Sequence, residues 1–223
     1  MPLTTYLDEA LSKVAFGDTA YSVPATLYFA LSTTTASQTE GTSGAPWSFT
    51  EPGAQVQLTT ALVSGTAYTT LDVSPLDAAV ASGDSILLTS GANTQTFVTS
   101  AASAVGATTL TVTSLAANFA YPVGTLVQDT TASAGYARVA VANSTANFGA
   151  ATTQPSTGYT TANVTAITFP TSTATWGTIT YFGVFDAPGG GNCLAEGALT
   201  TSESIPANAT PSFAAGALTI ELN

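Results

Sequence analysis

The sequence predicts an all-β protein: a β-sandwich, jelly-roll-like, with one N-terminal helix and an inserted small β-barrel or hairpin module. Three observations lead there. Hydrophobic residues make up 45% of the 223 residues but charged residues only 7%, and the remaining polar positions are filled largely by Thr, Ser, Gly and Asn. Thr is β-branched and suits a half-exposed strand face. Short apolar or alternating segments recur between Gly and Pro punctuation, the pattern of many short strands. Helical periodicity is convincing in one place alone, the first seventeen residues.

There Leu3, Leu7, Leu11 and Val14 recur at three- and four-residue spacing, with Tyr6 and Ala10 beside them. Thr4 or Thr5 can cap the start, Asp8 and Glu9 sit in the early turns and Lys13 near the end, all in the sense the helix dipole favours. Gly17 suits the position just past the last turn. After Pro24, Ala25–Ser32 (ATLYFALS) is apolar on both faces, so a central or covered strand is expected. A Thr/Ser/Gly loop with Pro46, Trp47 and Pro52 follows.

From Val56 the character changes. Thr69–Leu76 resembles Thr108–Leu115 thirty-nine residues later, each preceded by a glycine (Gly65, Gly106) and followed by an Ala-rich bend. A second glycine, Gly83 or Gly124, then opens another strand. Two copies are too few for a solenoid, so a module over 53–130 is expected. Ser90–Asn93 is its hairpin loop. Residues 1–52 and 131–223 then form the main body. In it Ile179–Phe185 reads as a buried strand, Asp186–Asn192 (DAPGGGN) as a turn, and Leu218–Leu222 as a strand with one buried side.

Composition also excludes functions. Two basic residues face thirteen acidic ones, for a net charge of −11. Such a chain repels phosphate backbones and anionic membrane surfaces, so neither nucleic acid nor membrane is an expected partner. No apolar run approaches the ~20 residues of a spanning helix. The N-terminus has no basic segment followed by an apolar one, which predicts synthesis and assembly in a cytoplasm. With no histidine in the chain, Ser-His-Asp and Cys-His catalysis and the common zinc sites are absent. Paired-carboxylate chemistry would require acids brought together from scattered positions. Gly189–Gly191 has no following Lys and lies between strands, which makes it a hairpin rather than a phosphate loop. Asp186 and Asn192 offer oxygens to calcium, without an EF-hand spacing. Cys193, the one cysteine, reads as a small buried side chain. No catalytic residue and no cofactor are expected. Arg138 is one of only two cations and is read as a strand residue paired with a carboxylate or backbone carbonyls; the alternative is a contact to an acidic neighbouring subunit.

The ordered blocks PATLYFALST, GYARVAV, ITFP, WGTITYFGVFDA, GGNCLAEGALTTS and SFAAGALTIEL, behind the N-terminal helix, resemble a family of small tailed-bacteriophage virion proteins known as phage tail fibre proteins. The resemblance covers 1–35 and 130–223 and is interrupted after Glu51-Pro52 by the module. It implies a non-enzymatic virion component assembled in the host cytoplasm, a homo-oligomer (a trimer is one arrangement) among other virion structural proteins. A tail fibre or tail-associated role leads; capsid decoration on the head and a carbohydrate-binding or depolymerising role are the alternatives. The candidate subunit contacts are Leu3, Leu7, Leu11, Val14 and Arg138, and the module is expected to project from the surface.

Trypsin has only Lys13 and Arg138 to cut. Under native conditions cleavage is expected near Lys13 alone, as followed by intact mass. Rapid cleavage after Arg138 would show that its segment is not held in the fold.

Overall fold

The computed structural model describes residues 5–15, 21–33, 49–76, 78–154 and 158–222. Over the described residues it is all-β with two helices, α1 (Thr5–Ala15) and the four-residue α2 (Thr145–Phe148). The strands are β1 (Thr26–Ser32), β2 (Gln55–Gln57), β3 (Ala67–Asp72), β4 (Ser85–Ser90), β5 (Asn93–Val98), β6 (Thr109–Ala116), β7 (Leu126–Asp129), β8 (Val139–Ala142), β9 (Thr152–Gln154), β10 (Gly158–Ala162), β11 (Ile167–Thr168), β12 (Gly177–Phe185), β13 (Cys193–Ile205), β14 (Ser212–Phe213) and β15 (Thr219–Leu222). None of the described helices is long and apolar enough to cross a membrane.

One antiparallel sheet, in the order β13-β12-β1-β8, organises the chain outside 54–130. β1 is internal to it, which explains why TLYFALS is apolar on both faces: Phe29 and Leu31 enter one core, while Ala30 enters a smaller cluster with Phe49, Phe185 and Cys193. The larger core also takes Ile179, Phe182 and Val184 of β12, Leu194 of β13, Ile167 of β11, and Phe169, Trp176 and Leu218. The short sheets β11-β14 and β15-β10-β9 complete this part. α1 lies near β13, with Leu7 packed against the larger core. Lys13 pairs with Glu9 one turn earlier at 2.6 Å, and that cation holds the Glu9 carboxyl below its usual range.

Residues 54–127 supply a core of their own, from Ala54 and Val56 to Tyr121 and Val127. The echo noted in the sequence here has a geometric meaning. Its two copies pair with each other: β3 with β6, so that Leu71 faces Leu110, and β4 with β7, so that Leu87 faces Gln128. Flanking contacts obey the same exchange. β2 pairs with β7 (Val56 with Val127) just as β5 pairs with β4 (Phe97 with Ile86). The bridge Leu58–Val73 matches Thr99–Val112, and Leu62–Tyr121 matches Ser103–Val80. The halves are thus related by a pseudo-twofold axis through the Leu71/Leu110 and Leu87/Gln128 pairs. Each half alone would leave its apolar faces open; together they bury them.

The echoed glycines close matched turns. Gly83 and Gly124 have φ of 94° and 85°, which glycine adopts without steric cost. The residues after them differ for a local reason. Asp84 Oδ2 accepts from the Ala81 N–H at 2.7 Å. The matching position before Gly124 is Pro122, which has no N–H, and there Thr125 donates its hydroxyl to the Pro122 carbonyl at 2.7 Å. The Ser90–Asn93 hairpin forms as expected, with Gly91 at φ 60° in the first central position, as a II′ turn requires. The expected barrel does not close. The strands divide between the four-stranded sheet β2-β7-β4-β5 and the pair β3-β6, because β2 and β5 remain edges of the larger sheet.

The symmetry breaks where the chain leaves. The counterpart of the buried Leu88 is Asp129, 1% exposed, whose Oδ1 accepts from the N–H groups of Thr131 and Ala132 at 2.9 and 3.0 Å. Burial, and then the neighbouring charge of Asp84, push the Asp129 carboxyl up, while those backbone donors pull it down. A raised acid favours the protonated form in the folded state. Its ionisation therefore costs stability at neutral pH, and the cost disappears as pH falls through the folded pKa toward the unfolded value of about 3.9. Asp129→Asn should raise the melting temperature at pH 7, with the advantage over the parent shrinking in acid. A pH-independent difference in melting curves would contradict this.

Candidate functional site

The two cores meet at a junction built around Glu51, two residues before the chain enters 53–130, and Arg138, shortly after it returns. Arg138 lies immediately before β8, not within it as the sequence predicted, because the pairing of β8 with β1 begins at Val139 opposite Phe29. The entry and exit touch: a Cβ on Gly53 would stand 2.4 Å from the Ser133 nitrogen.

The Glu51 and Arg138 side chains are 0% and 2% exposed. Arg138 Nη2 lies 2.5 Å and Nε 3.0 Å from Glu51 Oε1. Nη1 donates to the carbonyls of Ala187 and Gly190 at 2.9 and 2.8 Å, and the guanidinium carbon lies 3.7 Å over the centre of the Phe185 ring. Such a planar, multi-donor cation cannot be replaced by lysine without loss of geometry. Glu51 Oε2 accepts from the Tyr136 hydroxyl at 2.8 Å, and the Tyr136 hydroxyl oxygen in turn accepts from the Leu31 N–H at 2.9 Å. Burial first, and then the charge of Glu51, push the Tyr136 hydroxyl well above its ordinary value, so it keeps its proton. Tyr136 is further held edge-on to Trp176 at 5.2 Å.

The hairpin turn between β12 and β13 carries this network to the second core. The Gly190 N–H donates to the Gln55 carbonyl of β2 at 2.7 Å. A Cβ on Gly189 would lie 2.5 Å from the Leu126 side chain and 3.0 Å from the Val56 carbonyl. The glycine run is thus a docking device as well as a turn. From the other side, Gln128 Nε2 donates to the Tyr136 carbonyl at 2.6 Å. Above the network opens a cleft of about 260 Å³. Its walls include Phe49, Phe185, Pro75, Leu76 and Val105, with Glu51 and Arg138 at its floor. Both charges are spent on each other and on the chain, so this arrangement holds parts together.

The other candidates separate. Leu3 lies outside the described residues. Leu7 is half-buried on the core, whereas Leu11 and Val14 are 41% and 46% exposed. Arg138 is turned inward, paired with the Glu51 carboxylate and two backbone carbonyls, the first of the two readings its sequence allowed. With a side chain 2% exposed in the single chain, the alternative contact to a neighbouring subunit has no support here. Asp186 places both carboxylate oxygens on Asn192, at 2.7 Å to its N–H and 2.8 Å to its amide nitrogen, so the two residues considered for calcium are hydrogen-bonded to each other within the turn. Among the described residues no group of three or more His, Cys, Asp or Glu is placed to hold a metal. Cys193 is buried, and desolvation above all pushes its thiol far up, so it stays a neutral packing residue. Sequence reading missed Glu51, Tyr136 and Gln128. The available signal was scarcity: a buried Arg138 needs a carboxylate.

A family model described as podophage GP4 fiber I protein gp80 matches residues 120–221. Over that stretch the chain resembles a phage fibre protein. The match begins before β7 and ends within β15, so it takes in Tyr136, Arg138, the glycine turn and the β12-β13 hairpin, and leaves out α1, β1 and Glu51. It bears out the resemblance read from the later sequence blocks and supports a structural role in a phage particle. No curated protein matches the chain.

Removing one member of a buried ion pair strands the other charge. Arg138→Met should lower the unfolding free energy by about 3–5 kcal/mol, measured by urea denaturation. Glu51→Gln combined with Arg138→Met should cost less than the sum of the two single changes. Additive losses would show that the pair is not coupled.

Proposed function

We propose that the chain is a non-enzymatic structural component of a tailed-phage virion, a tail fibre or tail-associated protein that works as a homo-oligomer among other virion proteins. The observation that carries this reading is the fibre-family match over 120–221. The site geometry suits a structural role: the buried Glu51–Arg138 pair and the glycine turn fix two β-units against each other. A protein displayed on a particle needs rigidity and a surface for its neighbours. α1 supplies one such surface, since Leu11 and Val14 face solvent in the single chain and an apolar stripe left bare promotes aggregation.

Density for the chain in a map of the purified particle tests the proposal. Placement on the tail supports it, and placement on the head lattice would make the protein a capsid decoration protein instead. Turnover of host polysaccharide that is lost on one Asp or Glu substitution would overturn the non-enzymatic part. Leu11→Ser with Val14→Ser is expected to reduce incorporation into particles while leaving the melting temperature nearly unchanged. Full incorporation would remove α1 from the attachment surface.

A further inference from the structure

The pseudo-twofold axis within 54–130 gives the docking edge at β2 a counterpart, and the two fare differently. At β2 the glycine turn covers the strand: Gln55 is 1% exposed, its carbonyl takes the Gly190 N–H, and Gly189 lies against Leu126 and the Val56 carbonyl. The exchange that maps Val56 onto Phe97 maps Gln55 onto Thr96, Gln57 onto Val98, Leu126 onto Ser85 and Gln128 onto Leu87. This second edge, β5, lies at the far side of the sheet β2-β7-β4-β5. There Thr94, Thr96 and Val98 are exposed, Val98 by 44%, and Leu87 is half-buried. Asn118 covers the β5 start, donating from its side chain to the Thr94 carbonyl at 3.3 Å, and Gln95 binds Ala116 and Asn118 across the same edge. Past Val98 the bridge Thr99–Val112 ties the strand end to β6, so the stretch left between these ties is the main chain at Thr96.

The register also sets the direction of the main chain. Gln55 turns its carbonyl away from β7 to meet Gly190, and by the same pairing Thr96 turns its carbonyl away from β4. An edge strand offering such groups is a template for another chain unless charge, proline or a covering element blunts it. β5 (NTQTFV) carries neither charge nor proline.

We infer that the β5 edge is a second docking edge, and that its occupant is a glycine-containing turn of a neighbouring virion subunit, donating a main-chain N–H to Thr96 and lying flat against Val98 and Leu87. The chemistry of the occupant is read from the filled edge: a Cβ on Gly189 would stand 3.0 Å from the Val56 carbonyl and 3.2 Å from the Gln55 carbonyl carbon. The counterparts of these main-chain groups at β5 are those of Phe97 and Thr96, so a turn without Cβ atoms fits there too. The chain's own glycine turn is already engaged at β2, so a second copy has no spare one to offer through that element. That the partner is a virion subunit rests on the function proposed above; the identity of the edge does not.

Two measurements test this on the full chain. In the first, isotopically labelled protein is titrated with a cyclic peptide carrying the turn sequence Ala187–Asn192 (APGGGN). Amide shifts are expected at Ser85, Leu87, Thr96 and Val98. They should be lost in Val98→Lys, whose melting temperature shows that it is folded, and with a peptide in which the first two glycines are alanine. No shifts at millimolar peptide, or shifts away from β5, would overturn the edge assignment. In the second, benzoylphenylalanine replaces Thr94 and particles are irradiated. A cross-link to a glycine-containing turn of another virion protein supports the inference; a cross-link to β5 of a second copy, or none from protein present in the particle, overturns it. Absence of the wild-type chain from purified particles would instead defeat the virion reading, leaving the titration to judge the edge.

Discussion

The ion pair between Glu51 and Arg138 is the constraint on which the arrangement depends. The two residues flank the excursion of the chain through 53–130, and each would be costly to bury alone. Joined, they fix three things together. Tyr136 is held between Glu51 and the backbone of β1, and the glycine turn is held by its carbonyls on the guanidinium. Through that turn, β2 is held against the first unit. The Phe185 ring lies beneath the guanidinium, 3.7 Å from its carbon, and covers that face. A chain with two cations has committed one of them to its own interior, which shows how little of its surface recognition can rest on positive charge.

The second unit solves a different problem with almost no charge at all. Its two halves pair with each other so that each supplies the strands the other lacks, and the matched turns are closed by glycine plus one side-chain hydrogen bond suited to the local donor. The departure from symmetry at Asp129 is as informative as the symmetry. A core leucine in one half is a carboxyl in the other because the chain must turn there and return to the first unit. Packing is given up for a capped exit.

Much of this was legible in the sequence, and the rest was hidden for identifiable reasons. Helical spacing located α1, the two-sided apolar character of β1 and β12 marked internal strands, and Gly91 marked the β4-β5 turn. The thirty-nine-residue echo revealed a duplication. It did not reveal that the copies face each other, since alternation of Leu, Thr and Val satisfies many registers equally well. The barrel reading failed for a similar reason: strand count was visible, but which edges stay open depends on pairing. The ion pair spans 87 residues of sequence, and nothing local to Glu51 distinguishes it from an acid in a loop. Gly189–Gly191 showed its turn and concealed its second role, because close approach of another strand leaves no trace in the glycines themselves. Nothing local to Asn163 marks its role either: it is buried, donating to the carbonyls of Thr165 and Ala214 at 2.8 Å each and accepting from Leu218 at 2.9 Å.

Contact between Gly53 and Ser133 gives the molecule a mechanical character. A pull on the distal β4-β5 hairpin reaches the first unit through two connections that leave from one point, so the load divides between them and exerts little twist on the body. The same pull acts across the Gly190–Gln55 and Gln128–Tyr136 bonds, which lie beside that point and resist tilting about it. The second unit is therefore a braced attachment on a short double tether, and a sideways load on it is carried through these bonds into the β12-β13 turn and Tyr136 of the first unit.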